Sequence, residues 1–387
     1  MGANIQLVQK TNRARVLNFI RKNPDTSRVI VSAETGLSMA SITNITSYLL
    51  EKRLITESGT EEVERVGRKG SLFRFFHEAY GLICVQISNT AIDISYTDLN
   101  GNIDMRYRVN FDSSDLDKMQ KMIAERVESL IRQYDRQNIL AISLTVSGIV
   151  LKNNYFVLSA SLRLKNFNLV SELEKTTGLP VFLNNVTQSR AVWSFCCTEH
   201  PTTDNMIFVD LKGGIGACQF YQGSLNNSML GEIGHTTVDK DGDLCFCGNR
   251  GCLELMCSPN RIVQLYKEFS GVKSSPTFND VAKLYYNGDK YALKAVDSCA
   301  EYLGIALANL INLFNPSTLT INVGDFSSLR DIIEKACTVM KERAYPALTD
   351  NLEIQEVNVG VYETIKGNVC TMCDRLFDEN YENSIFE

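Results

Sequence analysis

The chain has 387 residues, of which 44% are hydrophobic and 22% are charged. This composition is typical of a globular protein and excludes a disordered or collagen-like chain. No stretch approaches the ~18 uncharged apolar residues of a membrane-spanning helix, and the N-terminus lacks the apolar segment of a secretory signal. We therefore expect a cytoplasmic protein with no membrane partner, whose 12 cysteines are mostly reduced.

Charge is unevenly distributed along the chain. Residues 1–80 contain 12 Lys and Arg against 8 Asp and Glu, a net charge of +4, whereas the remaining residues carry a net charge of −10. A basic segment on an acidic body indicates a polyanion-binding module attached to a second domain. We predict a first domain over residues 1–78 and a second over residues 79–387.

The first domain has the pattern of a helix-turn-helix. A first helix is predicted to begin near Thr11 and Asn12, and a second short helix covers residues 27–35. Gly36 provides the turn, and Ser38 begins a third helix with apolar residues at helical spacing.

The third helix is predicted to lie in a DNA major groove. Small polar side chains near its N-terminus can approach base edges and phosphates. These predicted DNA contacts are Ser38, Ser41, Thr43 and Asn44. Because this face carries no long basic side chain, affinity would depend on Arg13, Arg28 and residues beyond the helix.

Two short strands, residues 54–56 and 72–75, frame a loop that ends in a basic Gly-containing segment. We predict a β-wing in which Arg68 and Lys69 enter the minor groove or bind phosphate. The alternative is a three-helix protein-interaction domain with a solvated loop.

Strands and helices alternate from Gly81 onward, which predicts an α/β body of at least two lobes. We expect the lobes to cover about residues 79–183 and 184–387, with a C-terminal helix that packs back on the first lobe. Asn184 and Asn185 follow a predicted strand, at the end of the sheet where open α/β sheets bind ligands. Residues 212–216 form a Gly-rich turn that allows close approach to an anion, although such a turn alone is more often a hairpin.

The most specific pattern in the chain is His235 followed by Cys245, Cys247 and Cys252. Three cysteines within eight residues and one upstream histidine match a closed, structural zinc site. The alternative is a loop of reduced thiols, which would be prone to oxidation if exposed.

The motifs around this cluster resemble those of the ROK family of repressors and sugar kinases. They are Gly-Glu-Ile-Gly-His at residues 231–235 and Cys-x-Cys-Gly-x-x-Gly-Cys-x-Glu at residues 245–254. The resemblance covers nearly the whole chain. It implies an N-terminal winged helix-turn-helix followed by a two-lobed, actin-like and sugar-kinase-like α/β fold.

The resemblance also implies two sets of binding residues. Structural Zn²⁺ would be held by His235, Cys245, Cys247 and Cys252. A sugar would be bound by Gly148, Asn184, Asn185, Glu232, His235 and Glu254. Carboxylates, amides and imidazole suit sugar hydroxyls, which both donate and accept hydrogen bonds.

The same resemblance implies that the kinase machinery is lost. Family kinases carry an acidic residue and a Gly-Gly-Thr turn after the first strand, where this chain has Gln86 and no such turn. Asn185 replaces the aspartate that acts as general base, and an amide cannot accept that proton at a useful pKa. Asp325 replaces a glycine near the nucleotide phosphates. We therefore expect no catalytic residues.

Together these features predict a sugar-responsive DNA-binding transcriptional regulator, a repressor in preference to an activator. We expect a homodimer or a dimer of dimers that binds two half-sites of double-stranded operator DNA. One alternative is an active ATP-dependent sugar kinase with an appended DNA-binding head. The other is a constitutive DNA-binding or protein-docking scaffold whose pocket is vestigial.

Overall fold

The computed structural model describes residues 2–60, 70–88, 91–110, 116–151, 155–159, 164–165, 168–196, 205–229, 231–378 and 386. Within these residues the chain forms a helical head and an α/β body with two five-stranded sheets. This architecture confirms the predicted α/β fold class. In the described part of the chain, no helix is both long and apolar enough to cross a membrane.

The head consists of three helices and a small antiparallel sheet. Its elements are α1 (Gly2–Lys22), β1 (Thr26–Ser27), α2 (Arg28–Thr35), α3 (Met39–Glu51), β2 (Ile55–Thr60) and β3 (Ser71–Phe75). The strand order is β1-β3-β2. The hydroxyls of Ser27 and Ser38 cap α2 and α3 by accepting hydrogen bonds from the amides of Ile30 and Ser41. The second and third helices therefore begin where the sequence predicted.

Helix α1 corrects one prediction. It begins at Gly2, so Thr11 and Asn12 lie in its middle and do not cap it. Residues 3–10 contain no glycine or proline, and nothing in their chemistry stops a helix. The predicted wing residues Arg68 and Lys69 lie outside the described residues.

The first lobe is built on a mixed sheet of order β11-β7-β4-β5-β6, in which β4, β7 and β11 are parallel. A small three-stranded sheet of order β10-β9-β8 follows β7 along the chain. The elements are β4 (Gly81–Ile87), β5 (Ala91–Asp98), β6 (Ile103–Asn110), α4 (Leu116–Tyr134), β7 (Ile139–Val146), β8 (Ile149–Leu151), β9 (Tyr155–Ser159), β10 (Leu164–Lys165), α5 (Leu169–Thr177) and β11 (Val181–Asn185).

Strand β4 is buried along its whole length because both faces of the sheet are covered. Ile83 and Val85 pack in one core cluster with α4 and α5. Leu82 and Cys84 belong to a second cluster, which contains the apolar residues of the head and of the C-terminal helix. Successive side chains of a strand point to opposite faces, so this strand separates the two clusters.

The second lobe repeats the arrangement with a sheet of order β14-β13-β12-β15-β16, in which β12, β15 and β16 are parallel. Helices α8 to α11 form the main core with this sheet. The elements are α6 (Val186–Cys196), β12 (Asn205–Asp210), β13 (Gly216–Tyr221), β14 (Ser224–Leu225), α7 (Leu253–Met256), α8 (Pro259–Ser270), α9 (Phe278–Tyr286), α10 (Lys290–Phe314), β15 (Thr318–Asn322), α11 (Asp331–Arg343), β16 (Glu353–Val357) and α12 (Val361–Leu376).

Helix α12 contacts the first lobe, helix α6 and the head. Its Asn368 donates a 2.9 Å hydrogen bond to the hydroxyl of Thr145 on β7. Gly367 lies so close to α6 that a Cβ there would stand 1.9 Å from the carbonyl oxygen of Ser189. At its other end, Asp374 pairs with Arg21 of α1. One helix therefore connects all three parts of the molecule.

Candidate functional site

A polar cleft lies where strands of both lobes end. Strands β7 and β11 of the first lobe end at its edge, and the turn after β12 of the second lobe forms the opposite wall. Its lining residues are Ser147, Gly148, Asn185, Val186, Thr187, Lys212, Gly213, Gly214, Ile215, Gly216, Glu232, His235 and Glu254. Open α/β sheets bind ligands at this place, beyond the carboxyl ends of parallel strands.

Asn185 lines the cleft, but its carboxamide is already engaged at both ends. Its Nδ2 donates a 2.8 Å hydrogen bond to the carbonyl oxygen of Gly148. Its Oδ1 accepts a 3.0 Å hydrogen bond from the amide of Gln188, in the first turn of α6. The side chain thus fixes the shape of the cleft wall and the start of α6.

Asn184, which is also predicted to bind the sugar, is not among the lining residues of the cleft. Its side chain is buried, and its Nδ2 donates a 2.8 Å hydrogen bond to the hydroxyl of Ser143 and lies 3.6 Å from the sulfur of Met372 on α12. Neighbouring residues of a strand face opposite sides of the sheet. Of the adjacent pair, only Asn185 can therefore line the cleft.

Two carboxylates face the cleft from the second lobe. An oxygen of Glu254 accepts a 3.2 Å hydrogen bond from the amide of Ile215 in the Gly-rich turn. An oxygen of Glu232 lies 4.0 Å from Nε2 of His235. Burial raises the pKa of Glu232 above its usual value; the nearby imidazole opposes this shift and Glu254 adds to it.

The predicted metal ligands come together in one cluster. Ligand atoms of His235, Cys245, Cys247 and Cys252 all lie within 4.8 Å of one another. The distance from Nδ1 of His235 to Sγ of Cys245 is 3.7 Å, and the distance between Sγ of Cys247 and Sγ of Cys252 is also 3.7 Å. Donors of a tetrahedral zinc site with bonds of about 2.0–2.3 Å stand roughly 3.5–3.8 Å apart. These four residues could therefore hold a metal ion.

His235 connects this cluster to the cleft. Its Nδ1 faces the cysteine sulfurs, whereas its Nε2 faces Glu232 at the cleft. A metal on one ring nitrogen would fix the orientation and tautomer of the ring, which leaves the other nitrogen as a hydrogen-bond donor.

A buried ion pair behind the Gly-rich turn was not predicted from the sequence. Nη1 of Arg190 lies 2.6 Å from a carboxylate oxygen of Asp210, and the two side chains are 7% and 1% exposed. The same nitrogen donates a 2.8 Å hydrogen bond to the carbonyl oxygen of Lys212. The ammonium of Lys212 donates in turn to the carbonyl oxygen of Val359 at 2.9 Å. Burial, with the neighbouring Arg190, lowers the pKa of Lys212.

The two other positions predicted to distinguish this chain from a kinase lie in different places. Gln86 is buried in β4 and is not among the lining residues of the cleft. Asp325 follows β15, and its carboxylate accepts a 2.8 Å hydrogen bond from the amide of Gly213 in the Gly-rich turn. The backbone of this turn is thus bound by a carboxylate of the protein itself.

On the head, the predicted face of α3 is open to solvent. Ser38, Thr43 and Asn44 are exposed and Ser41 is half-buried. Ser41 and Asn44 also line a groove between α3 and α1, together with Arg13. This placement fits the predicted use of the helix.

The two arginines predicted to contact DNA are bound within the molecule. Nε of Arg28 donates a 2.9 Å hydrogen bond to the hydroxyl of Thr46, and its guanidinium lies 4.7 Å from the ring centroid of Phe73. These contacts hold the half-buried Arg28 side chain against the head, and its predicted contribution to DNA affinity stays a prediction. Arg13 donates a 2.8 Å hydrogen bond to the carbonyl oxygen of Phe386 and stacks on Tyr48 of α3. It lines the groove beside α3 but is not a free cation.

A helical head joined to a two-lobed α/β body with a polar cleft between its sheets defines a class of proteins that includes regulators and kinases. The chain belongs to the ROK family, whose sequence profile matches residues 82–367. This finding confirms the resemblance deduced from the motifs at residues 231–235 and 245–254.

Similar proteins cover nearly the whole chain. The xylose repressor of Bacillus spizizenii is 25% identical over 363 residues, which cover 92% of this chain and 94% of the repressor. The transcriptional repressor Mlc of Escherichia coli K12 is 26% identical over 379 residues, which cover 94% of this chain and 93% of Mlc.

Solved structures show the same fold. A ROK family transcriptional regulator described as a homologue of the E. coli MLC protein superposes with a TM-score of 0.81 at 24% identity, and the match covers 95% of this chain and 96% of the regulator. A ROK family glucokinase from Streptomyces griseus, solved with glucose and AMPPNP, gives a TM-score of 0.63 at 20% identity. That match covers 98% of the kinase but only 75% of this chain.

Proposed function

We propose that this protein is a sugar-responsive DNA-binding transcriptional regulator that acts as a repressor. The main observation in support is that one helix, α12, packs against α6, which begins at the polar cleft, and is also held to the helix-turn-helix head. Relatives that match about nine-tenths of both chains include proteins named as repressors, among them an N-acetylglucosamine repressor of E. coli O157:H7, and one named as a dual regulator. Their names associate this arrangement with sugars and DNA.

The body would bind its sugar without reacting it. A kinase needs a general base at the attacking hydroxyl, and we expect Asn185 at this place, where its carboxamide is engaged at both ends. A kinase also needs a free anion-binding turn, whereas the amide of Gly213 is bonded to Asp325. Gly148, Glu232, His235 and Glu254 would supply the contacts to the sugar hydroxyls.

The metal would be structural Zn²⁺ held by His235, Cys245, Cys247 and Cys252. A bound zinc ion crosslinks the loop that carries these ligands and stabilises its fold. Through this loop the ligands position Glu254, which follows Cys252 by two residues, and direct Nε2 of His235 to the cleft.

DNA would be bound by the exposed face of α3 through Ser38, Ser41, Thr43 and Asn44, with Arg68 and Lys69 as further contacts. A homodimer or a dimer of dimers would place two such helices on two half-sites. Binding of sugar would change the closure of the two lobes, move α12 against α1 and so alter the spacing of the heads. A coupling of about 1–3 kcal/mol between the two sites is sufficient for such a response.

The proposal is tested with full-length protein and duplexes selected from a random pool. Fluorescence anisotropy would follow binding of the selected duplex during titration with xylose, glucose and N-acetylglucosamine, and a coupled assay would detect ADP formation. We expect one sugar to weaken DNA binding at least about fivefold with no phosphorylated product. A phosphorylated sugar would establish the kinase alternative, and DNA binding that no sugar changes would favour a constitutive scaffold.

A further inference from the structure

We propose that the effector is an unphosphorylated, uncharged sugar, and that Asp325 excludes phosphate esters from the cleft. The proposal rests on the proposed function, namely that the cleft binds a sugar, and it specifies the chemical class of that sugar. Three observations support it: the charge of the cleft, the contact of Asp325 with the Gly-rich turn, and the contacts of Lys212, which lines the cleft.

The charge of the cleft opposes an anionic ligand. Glu232 and Glu254 both line it, and the carboxylate of Glu254 is held in place by the amide of Ile215. Among the described lining residues, only Lys212 and His235 can carry a positive charge. His235 lies against Glu232, and as a ligand of the proposed metal its imidazole is neutral. Carboxylates bind neutral sugar hydroxyls as acceptors but repel a phosphate.

The place where a Gly-rich turn would bind phosphate is already taken. Backbone amides in such turns bind anions, and the amide of Gly213 donates to the carboxylate of Asp325. The amide of Asp325 in turn donates a 3.0 Å hydrogen bond to the carbonyl oxygen of Leu211. This pair of hydrogen bonds holds the carboxylate at the turn, where it acts as a built-in anion.

The backbone beside Asp325 cannot easily move away. Gly324 has a φ of +47°, which favours glycine, and a Cβ at this position would lie 2.6 Å from Cβ of Lys212. The segment that carries Asp325 therefore packs directly on the Gly-rich turn. A phosphate that binds the amide of Gly213 would have to displace the carboxylate of Asp325, which is exposed at the turn.

The ammonium of Lys212 is held by the backbone of the second lobe. It donates to the carbonyl oxygen of Val359, and the carbonyl oxygen of Lys212 accepts from Arg190. The guanidinium of Arg190 is itself paired with Asp210. Both cations near the turn are thus used to hold the second lobe together.

Calorimetry with the full-length protein tests the inference. Xylose, glucose and N-acetylglucosamine are each titrated beside their phosphate esters, with inorganic phosphate alone as a further probe. We expect one neutral sugar to bind, and its phosphate ester to bind at least about tenfold more weakly, as expected for like charges at close range. A phosphate ester that binds as tightly as its neutral sugar, or more tightly, would overturn the inference and leave the proposed function intact.

Variants of Asp325 test whether this residue is the cause. D325N removes the charge but keeps an acceptor for the amide of Gly213, and D325A also frees that amide. We expect the ratio of ester to neutral-sugar affinity to rise at least about tenfold in D325A and less in D325N. D350N is the matched control, because Asp350 is an exposed carboxylate before β16, at the opposite end of the sheet. If D325A does not fold, D325N decides, and a ratio equal to that of the control would refute the role of Asp325. No binding of any sugar or ester would instead refute the proposed function, and the inference with it.

Discussion

At the scale of single residues, the site combines groups that interact across long stretches of chain. Asp325 and Gly213 are 112 residues apart, and Arg190 and Asp210 are 20 apart on different elements. No local sequence pattern contains such pairs. The metal cluster is the opposite case, because three of its four ligands lie within eight residues and their spacing alone predicts the chemistry.

The first residue-scale prediction concerns the metal. C247S removes one of the four ligands, so we expect the protein to lose bound zinc and its free energy of unfolding to fall by about 3 kcal/mol or more. Zinc content by mass spectrometry and thermal unfolding of the purified variant measure both effects. C337S is the control, because Cys337 lies on α11 outside the cluster. Retention of stoichiometric zinc in C247S would contradict the assignment.

The second concerns the buried ion pair. R190M leaves the carboxylate of Asp210 buried without its cation, so we expect a loss of about 3–5 kcal/mol in the free energy of unfolding by urea denaturation. D210N in the same chain should recover part of that loss, because it removes the unpaired charge. R343A breaks the exposed pair with Glu301 and should cost at most about 1 kcal/mol. Equal losses in R190M and R343A would show that burial of the pair is unimportant.

At the scale of elements, the sequence predicts strands best where they are buried along their whole length. The strands at 81–87 and 139–146 are recognisable in the sequence, because both faces of the sheet are covered and every position except Gln86 is apolar or small. Asn184 and Asn185 show what was missed: their adjacency is visible in the sequence, but which one faces the cleft depends on the register of β11 with β7. The position of the Arg28 side chain depends on its contact with the ring of Phe73, which lies far away in the sequence.

The crossing of α6 and α12 yields an element-scale prediction. A Cβ at Gly367 would stand 1.9 Å from the carbonyl oxygen of Ser189, so G367A must push the two helices apart. We expect a loss of about 2–3 kcal/mol in the free energy of unfolding and a weaker response of DNA binding to sugar. G59A is the control, because a Cβ at Gly59 meets no atom within 4 Å. A G367A protein as stable as G59A would contradict this close packing.

At the scale of the whole molecule, α12 is the element through which the cleft and the head can influence each other. Its middle contacts α6, which begins at the cleft, and its C-terminal end contacts α1. The end of the helix is held to the head by the ion pair of Asp374 with Arg21 and by a 2.9 Å hydrogen bond from Asn18 to the carbonyl oxygen of Phe377. α1 in turn contacts α3 through the stacking of Arg13 on Tyr48.

The last prediction is that loss of the contacts between α1 and α12 weakens the coupling of the two sites but leaves sugar binding intact. The double variant N18A/D374A removes both polar contacts between α1 and the end of α12 and alters no residue that lines the cleft. We expect sugar to bind the variant with an affinity within about threefold of the unmodified protein, while its effect on DNA affinity falls by at least about half in free energy.

Because coupling between two binding sites is reciprocal, the effect of DNA on sugar affinity must fall by the same factor. Calorimetry with and without duplex DNA, beside anisotropy with and without sugar, measures the two sides of this relation. The control D297A removes an exposed carboxylate on α10 that pairs with Lys335 on α11, far from the head in the chain. Full coupling in N18A/D374A would show that the signal passes from body to head by another route.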